Sequence, residues 1–384
     1  MSTMSARIDL PSTTSPGNPD LSTPSNPDLH MNIIPRTQGN VMLSRVANSL
    51  YWMSRYIERA ENISRLLDVN LQILLDFGAP SGEILDEHWL PILRSAGDEE
   101  TFFKHHETAD SESVTEFMTF SLENPSSVKS CLFAARENAR QIRDQISLEM
   151  FEVINECYLF LTSKNAREVW QEGAHDFYEQ IKRYSHLFQG LTDSTFSRNQ
   201  GYEFIQFGKF LERADKTSRI LDTKYHILLP DIHDVGGAID AAQWQAVLRS
   251  VSALESYRRA FVTETVPWKA AQFLIFGDTF PRSIRFCLTR VDHFLHMLAG
   301  TDRNEYNSPE ERTFGKLYSE MNFMNVEDIM KQGLHEYLAR VRLVLDKLDD
   351  FIYSRFIYYP PIDMEAEIRT HQQEMQQQQQ RAQE

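Results

Sequence analysis

Two stretches of the chain carry the same ionisable side chains at the same spacing. In each, a Glu-Arg pair is followed by a second acid, a second arginine and an aspartate. Carboxylates beside guanidinium groups could hold Mg²⁺ through oxygen ligands, grip the amine and carboxylate of a peptide, or transfer protons if crowding raises one carboxyl pKa. The residues are Glu58, Arg59, Glu61, Arg65 and Asp68 in the first stretch, and Glu212, Arg213, Asp215, Arg219 and Asp222 in the second.

A helix must position these groups, because apolar or small residues recur every three or four positions in both stretches. The pattern predicts one helix over residues 41–77 and another over residues 202–229. On each helix four of the charged positions lie in one sector beside the apolar stripe. They are Glu58, Glu61, Arg65 and Asp68 in the first helix, and Glu212, Asp215, Arg219 and Asp222 in the second. The stripe narrows to small residues, so we expect the two helices to cross there about a pseudo-twofold axis. These small residues are Ala60 and Ser64 in the first helix, and Ala214 and Ser218 in the second.

The similarity between the two helices extends along the chain. Residues 56–76 and 210–230 share ten identities in twenty-one positions, and the shared residues include polar ones. The segments that begin at Trp89 and Trp244 also match, as do those that begin at Pro125 and Pro281. Three matches in the same order at nearly one offset predict an internal duplication.

The helical periodicity predicts an all-α fold, a helical bundle built from two tandem, internally duplicated halves. We place the first half at residues 41–198 and the second at residues 199–360. A disordered leader over residues 1–40 and a Gln-rich tail over residues 361–384 flank them. Asn124 and Pro125 are typical of an N-cap and first helical position, so a long helical segment is predicted over residues 127–161, and Pro281 opens its counterpart. Closing helices are predicted over residues 169–188 and 326–356.

Composition narrows the classes of partner and compartment. The chain has 39 Lys+Arg against 55 Asp+Glu, a net charge of -16, which argues against nucleic acid or an anionic membrane as the main partner. Its three cysteines lie in apolar segments without C-x-x-C spacing, which is typical of reduced, buried thiols. With no signal-peptide pattern and no apolar run of about 20 residues, we expect a cytoplasmic protein.

Two interpretations of the charged helices stay open. A solvated helix face would carry i,i+4 pairs such as Glu61 with Arg65, each contributing about 0.2–0.5 kcal/mol. A buried polar cluster would need specific pairing, and the repetition of the same charges in both helices favours it. A di-iron site is disfavoured, since neither Glu58 nor Glu212 has a histidine three residues later. We predict no metal site and require no cofactor, with Mg²⁺ only a possibility.

Two groups of arginines are secondary candidates. One group would share a helix side and could clamp phosphate or carboxylate, or simply form an exposed, ion-paired face. The other would lie in the first turn of a helix, where a cation opposes the helix dipole, so an anionic partner or an acidic neighbour is expected. The first group is Arg136, Arg140 and Arg143, and the second is Arg282 and Arg285.

The segment 43–62, which contains Glu58-Arg59, resembles the opening of the bacterial alpha-E family, an all-helical domain with a Glu-Arg motif. Segments 124–144 and 280–288 also resemble it, so the resemblance covers about residues 42–356. It implies an all-α fold and an association with circularly permuted ATP-grasp amidoligases and transglutaminase-like peptidases, hence with peptide synthesis or tagging. It implies no catalytic residue. The motif carries over as Glu58 and Arg59, and again as Glu212 and Arg213.

Three functions follow as hypotheses. The first is a helical accessory component of an ATP-grasp amidoligase system that binds the ligase or its peptide substrate through the repeated Glu-Arg helices. The second is an enzyme of the same system that uses the paired carboxylates for acid-base or metal-assisted chemistry. The third is a structural helical protein with a buried charge cluster. Substrate, product and oligomeric state are left open by the sequence.

Overall fold

A computed structural model describes residues 42–76, 83–226, 238–261 and 265–358, and throughout these ranges the chain forms helices and no strand. The all-α prediction is therefore confirmed. The predicted leader and tail lie outside the described residues. No helix in these ranges is both long and apolar enough to cross a membrane.

Sixteen α-helices lie in the described residues. The first eight are α1 (Ser44–Asp76), α2 (Glu83–Ala96), α3 (Glu99–Phe102), α4 (Ser111–Thr119), α5 (Val128–Gln141), α6 (Leu148–Thr162), α7 (Ala166–Glu172) and α8 (Ala174–Thr195). The next eight are α9 (Gln200–His226), α10 (Ala238–Ser250), α11 (Leu254–Ala260), α12 (Pro267–Phe276), α13 (Ile284–Ala299), α14 (Pro309–Phe323), α15 (Val326–Gln332) and α16 (Leu334–Ile352). A π-helical turn, Tyr353–Ile357, ends the described chain.

The local signals that delimit the helices recur in the second set of eight. Ser127 caps α5 and Ser283 caps α13, each by accepting a hydrogen bond from a backbone N–H in the first turn. Asn165 and Asn325 form capping boxes at the starts of α7 and α15. The turn between the two sets, residues 196–199, coincides with the predicted boundary between the halves. The duplication itself remains a prediction from the sequence.

Four features of the predicted helices differ from the structure. The N-cap of α5 is Ser127 and not Asn124, whose side chain instead accepts from Ser126 N in the preceding turn. The segment 127–161 is two helices, because the chain turns at residues 142–147 before α6 begins. Each closing segment is also two helices, broken at Gly173 and Gly333, whose φ angles of +107° and +101° favour glycine.

The long helices α1 and α9 pack against each other and run parallel. Met42 N donates to Gln200 Oε1 at 3.2 Å near their starts, and Ser54 Oγ donates to the Ile205 carbonyl at 2.7 Å further along. The partners remain about 150–160 residues apart in sequence as both helices advance, which only a parallel arrangement allows. Corresponding positions of the two repeated stretches therefore face the same interface.

Other helices flank this central pair. Helices α5 and α8 pack on α1, and α13 and α16 pack on α9. The tryptophan helices cross over, since α2 packs on α9 and α10 packs on α1. Both Trp89 and Trp244 are buried there. Because each half contributes a helix to the other half's spine, the described residues form one unit with a common core.

Ala60 and Ala214, where the two helices are predicted to cross, are both buried. Ala60 lines a small cavity with Leu132 of α5 and Ile154 of α6. A close approach of α1 and α9 lies earlier on both helices, where Gly208 of α9 meets Tyr51 of α1. The spacing of small residues identified buried positions correctly, but it did not identify which neighbour they face.

Candidate functional site

The first Glu-Arg pair faces the second across the interface between α1 and α9. Arg213 donates to Glu58 from both Nε (2.9 Å to Oε1) and Nη2 (2.7 Å to Oε2). Arg282, in the turn before α13, adds a hydrogen bond from Nη1 to Glu58 Oε1 at 2.7 Å. Asn62 and Gln189 also donate to this carboxylate, at 3.2 and 3.0 Å. Glu58 is 1 % exposed, and all of these bonds are buried except the one from Gln189, which is partly buried.

The second Glu-Arg pair has the reverse contact. Arg59 donates to Glu212 from Nε (2.6 Å to Oε1) and Nη2 (3.0 Å to Oε2). Arg55, one turn earlier on α1, donates from Nε to Glu212 Oε2 at 2.9 Å. Each Glu-Arg motif therefore supplies the acid for the arginine of the other motif. Such two-pronged pairs between guanidinium and carboxylate are among the strongest polar contacts in proteins.

The second acid of each helix extends the charged network. Glu61 is fully buried and accepts from Arg65 Nη2 at 2.5 Å, from Ser185 Oγ at 2.7 Å and from Arg282. On α9, Asp215 accepts from Arg219 Nε at 2.9 Å and lies 3.4 Å from Lys216 Nζ. The buried-cluster interpretation of these charges is therefore correct, and the solvated-face interpretation is wrong.

The two aspartates form separate clusters further along the helices. Asp68 binds His175 Nδ1 and Lys182 Nζ, each at 2.8 Å. Asp222 binds His335 Nδ1 at 2.8 Å and Arg342 Nη2 at 2.9 Å. These contacts join each long helix to the closing helix of its own half, α8 or α16. The predicted ten-residue cluster is thus one central network with two separate Asp-His-cation groups.

The central carboxyl groups are held in their ionised form. Burial alone would raise the pKa of Glu58, but the positive charges of Arg213 and Arg282 outweigh it, and the pKa lies below its usual value. Burial likewise opposes ionisation of Glu212, yet Arg59 and Arg55 bring its pKa well below the usual value. Burial also opposes ionisation of Glu61, but the charge of Arg282 and neighbouring groups bring its pKa well below the usual value.

This geometry limits the chemistry that the network can perform. A general acid needs a pKa near the working pH, so carboxyl groups with lowered pKa values are poorly suited to donate protons. Glu58 and Glu212 each already accept hydrogen bonds from two different arginines. Among the described residues, no group of three or more His, Cys, Asp or Glu side chains is arranged to hold a metal ion.

Several members of the network were missed in the sequence. Arg55 also pairs with Asp349 (Nη1 to Oδ2, 2.6 Å), and Tyr51 donates to Asp349 Oδ1 at 2.5 Å. A sequence signal existed for the two histidines, since Gly-x-His occurs at the start of α8 and again at the start of α16. No comparable signal marks Asp349, because its corresponding position holds Gln189.

The two groups of arginines predicted as secondary candidates have different environments in the structure. Arg282 has the acidic neighbours expected of it, although it lies just before the N-cap Ser283 and not within the first turn. Arg285 is half-buried in that turn and forms no ion pair with another described residue. The other group does not share one helix side: Arg143 lies beyond the end of α5, and Arg140 is exposed and paired with Glu137. Arg136 is held by Asn155 and Tyr158.

The sequence also predicts that the three cysteines are buried and reduced. All three cysteines are buried and free of disulfides, as expected. Burial raises the pKa of each thiol to about 12, so none is a ready nucleophile.

A comparison with protein families identifies the family of this chain. A family described as a predicted alpha-helical domain with a conserved ER motif matches residues 42–357, which spans all the helices described above. No curated protein and no solved structure matches the chain. The Glu-Arg motif that characterises this family corresponds by residue type to Glu58-Arg59 and Glu212-Arg213.

Proposed function

Because the chain belongs to the alpha-E family, we propose that it is a helical accessory component of an ATP-grasp amidoligase system, and that its Glu-Arg motifs are the internal framework of that component. The ligase or its peptide substrate then binds an outer surface of the bundle. The proposed partners are a circularly permuted ATP-grasp ligase and a transglutaminase-like peptidase, with peptide synthesis or tagging as the process.

The observation that carries the framework role is the reciprocal pairing of the two motifs. Glu58 with Arg213, and Glu212 with Arg59, tie α1 to α9 by two-pronged contacts, of which the first is buried and the second partly buried. Removing one partner of a buried pair leaves an uncompensated charge, which costs about 3–5 kcal/mol. The motif residues are therefore suited to fixing the register of the two halves, and a ligand would have to displace internal partners to reach them.

An enzymatic role for the same carboxylates has weaker support. Their pKa values are lowered, whereas a general acid would need a raised one. The two hypotheses nevertheless predict different results for Glu212→Gln. In a framework the substitution lowers stability, and product formation per folded molecule stays normal. In an enzyme that uses this carboxylate, the folded variant would form no product.

The experiment is a reconstitution with the proposed circularly permuted ATP-grasp ligase. Mass spectrometry then compares the ATP-dependent products with and without this chain. Variants Glu58→Gln and Glu212→Gln are assayed at a temperature at which circular dichroism shows that they remain folded. Glu320→Gln is the matched control, because Glu320 pairs with Arg340 at the exposed surface. If the chain neither binds the ligase nor changes its products, the accessory role is wrong. If folded Glu212→Gln binds the ligase but yields no product, the enzyme hypothesis replaces the framework.

A further inference from the structure

A polar pocket lies at the far end of α9, away from the reciprocal Glu-Arg pairs. Its volume is about 150 Å³, well above the roughly 10–15 Å³ that one water molecule needs. Helices α2, α9 and α16 each contribute to its wall. The lining residues are Arg94, Ser95, Arg219, Asp222, Thr223, His335 and Arg342.

Three guanidinium groups and one carboxylate line this pocket, so its wall carries a net charge of plus two with the histidine neutral. Arg342 uses Nη2 to bind Asp222 at 2.9 Å, while its Nη1 is buried and has no hydrogen-bond partner. A buried N–H without a partner is costly, and native proteins seldom leave one unless something else binds it. Arg342 therefore has an N–H donor that no described group uses.

The other two arginines also have donors to spare. Arg219 binds Asp215 through Nε alone, and Arg94 binds Glu99 through Nε and Nη2. Gly97, which ends α2 with a φ of +82°, lies against the guanidinium of Arg219: a Cβ there would be 3.5 Å from Nη1. The contacts with Asp215 and Glu99 orient both guanidinium groups and leave an Nη nitrogen of each without a hydrogen bond among the described residues.

The charges around the pocket indicate what class of anion it takes. Glu99, Asp215 and Asp222 already offset much of the charge of the three arginines. A highly charged group would face these carboxylates, whereas a single carboxylate needs only the remaining N–H donors. Guanidinium groups match the planar geometry of a carboxylate with parallel hydrogen bonds.

From this geometry we infer that the pocket formed by Arg94, Arg219 and Arg342 is a binding site for one carboxylate group of a small acid or peptide. Asp222 and His335 hold Arg342 in place, and Arg94 lies at the exposed rim. The inference goes beyond the proposed function, since it uses neither reciprocal pair and stands even if the amidoligase association fails.

The corresponding group in the first half has a lysine in place of Arg342. There Asp68 binds Lys182 where Asp222 binds Arg342. The single ammonium of Lys182 is engaged by both Asp68 and Glu179, at 2.8 and 2.7 Å. A lysine at this position can satisfy its aspartate but has no second planar nitrogen for a ligand. The substitution Arg342→Lys would thus convert the second-half group to the first-half chemistry.

The test uses the purified full-length chain and saturation-transfer NMR titrations, in which phosphate, having no carbon-bound protons, is measured by its displacement of acetate. The probes are acetate, N-acetylglycine as a peptide terminus, N-acetylglycinamide as its neutral analogue, and inorganic phosphate. We expect the carboxylates to bind and the amide not to bind. Stronger binding of N-acetylglycine than of acetate identifies a peptide end as the source, and the reverse order identifies a small acid. Arg342→Lys and Arg94→Gln should each weaken binding about tenfold.

Arg340→Gln is the control for Arg94→Gln, because it also removes one positive charge from an exposed position, and Arg340 lies on the same helix as Arg342. Arg94→Gln tests the site at an exposed position, so a folding defect in Arg342→Lys would not leave the inference undecided. Equal weakening by Arg340→Gln would show a general charge effect and overturn the site. So would tighter binding of phosphate than of both carboxylates, or carboxylate binding that neither pocket substitution weakens.

Discussion

Gly208 of α9 lies directly against Tyr51 of α1: a Cβ atom at Gly208 would be 2.8 Å from the Tyr51 carbonyl oxygen and 3.0 Å from Tyr51 Cδ2. Backbone cannot move away as a flexible side chain can. Gly208→Ala should therefore force α1 and α9 apart and lower the free energy of unfolding by about 1–3 kcal/mol. Urea denaturation followed by circular dichroism measures this change.

Gly190 provides the matched control for that substitution. It lies exposed within α8, and nothing would come within 4 Å of an added Cβ. Gly190→Ala should stabilise the protein by about 0.4–1 kcal/mol, since alanine loses less backbone entropy on folding. If both variants change stability in the same direction and by the same amount, the contact between Gly208 and Tyr51 does not limit the approach of the two helices.

The pair Arg59 and Glu212 should be strongly coupled. Glu212→Gln leaves Arg55 and Arg59 without their shared carboxylate, and we expect a loss of about 3–5 kcal/mol. Arg59→Gln leaves Arg55 to compensate, so its cost should be smaller. A double-mutant cycle from urea denaturation should give a coupling energy of about 0.5–3 kcal/mol. Additive effects within experimental error would show that the contact contributes nothing specific to the interface.

The sequence alone predicted the helices and raised the weight of a buried charge cluster, because both inferences depend on local or repeated patterns. Helical spacing placed Glu58 beside the apolar stripe, and the repetition of the same charges at Glu212 favoured burial. Pairing could not be predicted in the same way. Local rules indicate only pairs within one helix, such as Glu61 with Arg65, which does form. Glu58 and Arg213 are 155 residues apart, so no local rule joins them.

The features that the sequence did not predict also have physical explanations. Asn124-Pro125 and Ser127 are both acceptable helix starts, and only the turn geometry decides between them. Small residues such as Ala60 pack equally well against any of the helices around α1. Arg342 and its pocket depend on three helices from distant parts of the chain, so no pattern within one segment indicates them.

Acid should weaken the central network. The pKa values of Glu58, Glu61, Glu212 and Asp215 are lowered in the folded state, so their contribution to stability is fully present above the unfolded pKa, which is about 4.3 for glutamate. As the pH falls below that value, the unfolded chain binds protons more readily and stability declines. Urea midpoints at pH 6, 4 and 3 should fall in that order.

Glu212→Gln tests the source of the acid sensitivity. It removes one of the titrating groups with a strongly lowered pKa, so its stability should decline less steeply below pH 4 than that of the unmodified protein. The exposed Glu320→Gln variant should keep the original slope. An unchanged slope in Glu212→Gln would assign the acid sensitivity to other carboxyl groups.

Lys209 is a buried cation whose charge destabilises the fold. It occupies the position on α9 that corresponds to Arg55 on α1, but among the described residues it has no ion-pair partner and is 8 % exposed. Its ammonium lies 4.8 Å from the centre of the Phe210 ring. Burial, reinforced by the charge of Arg213, lowers the pKa of Lys209 to about 8.

Lys209→Met should therefore stabilise the protein at pH 7, by about 1–3 kcal/mol, because methionine keeps the apolar stem and removes the desolvated charge. The folded pKa lies below the unfolded value of about 10.4, so the lysine protein gains stability as the pH rises from 8 towards 10. The advantage of Lys209→Met should shrink over that interval. Lys347→Met, at an exposed position of α16, should change stability by less than about 0.5 kcal/mol at either pH. A loss of stability in Lys209→Met at pH 7 would mean that the ammonium is stabilised where it lies, and the Lys209 charge would then belong to the favourable part of the network.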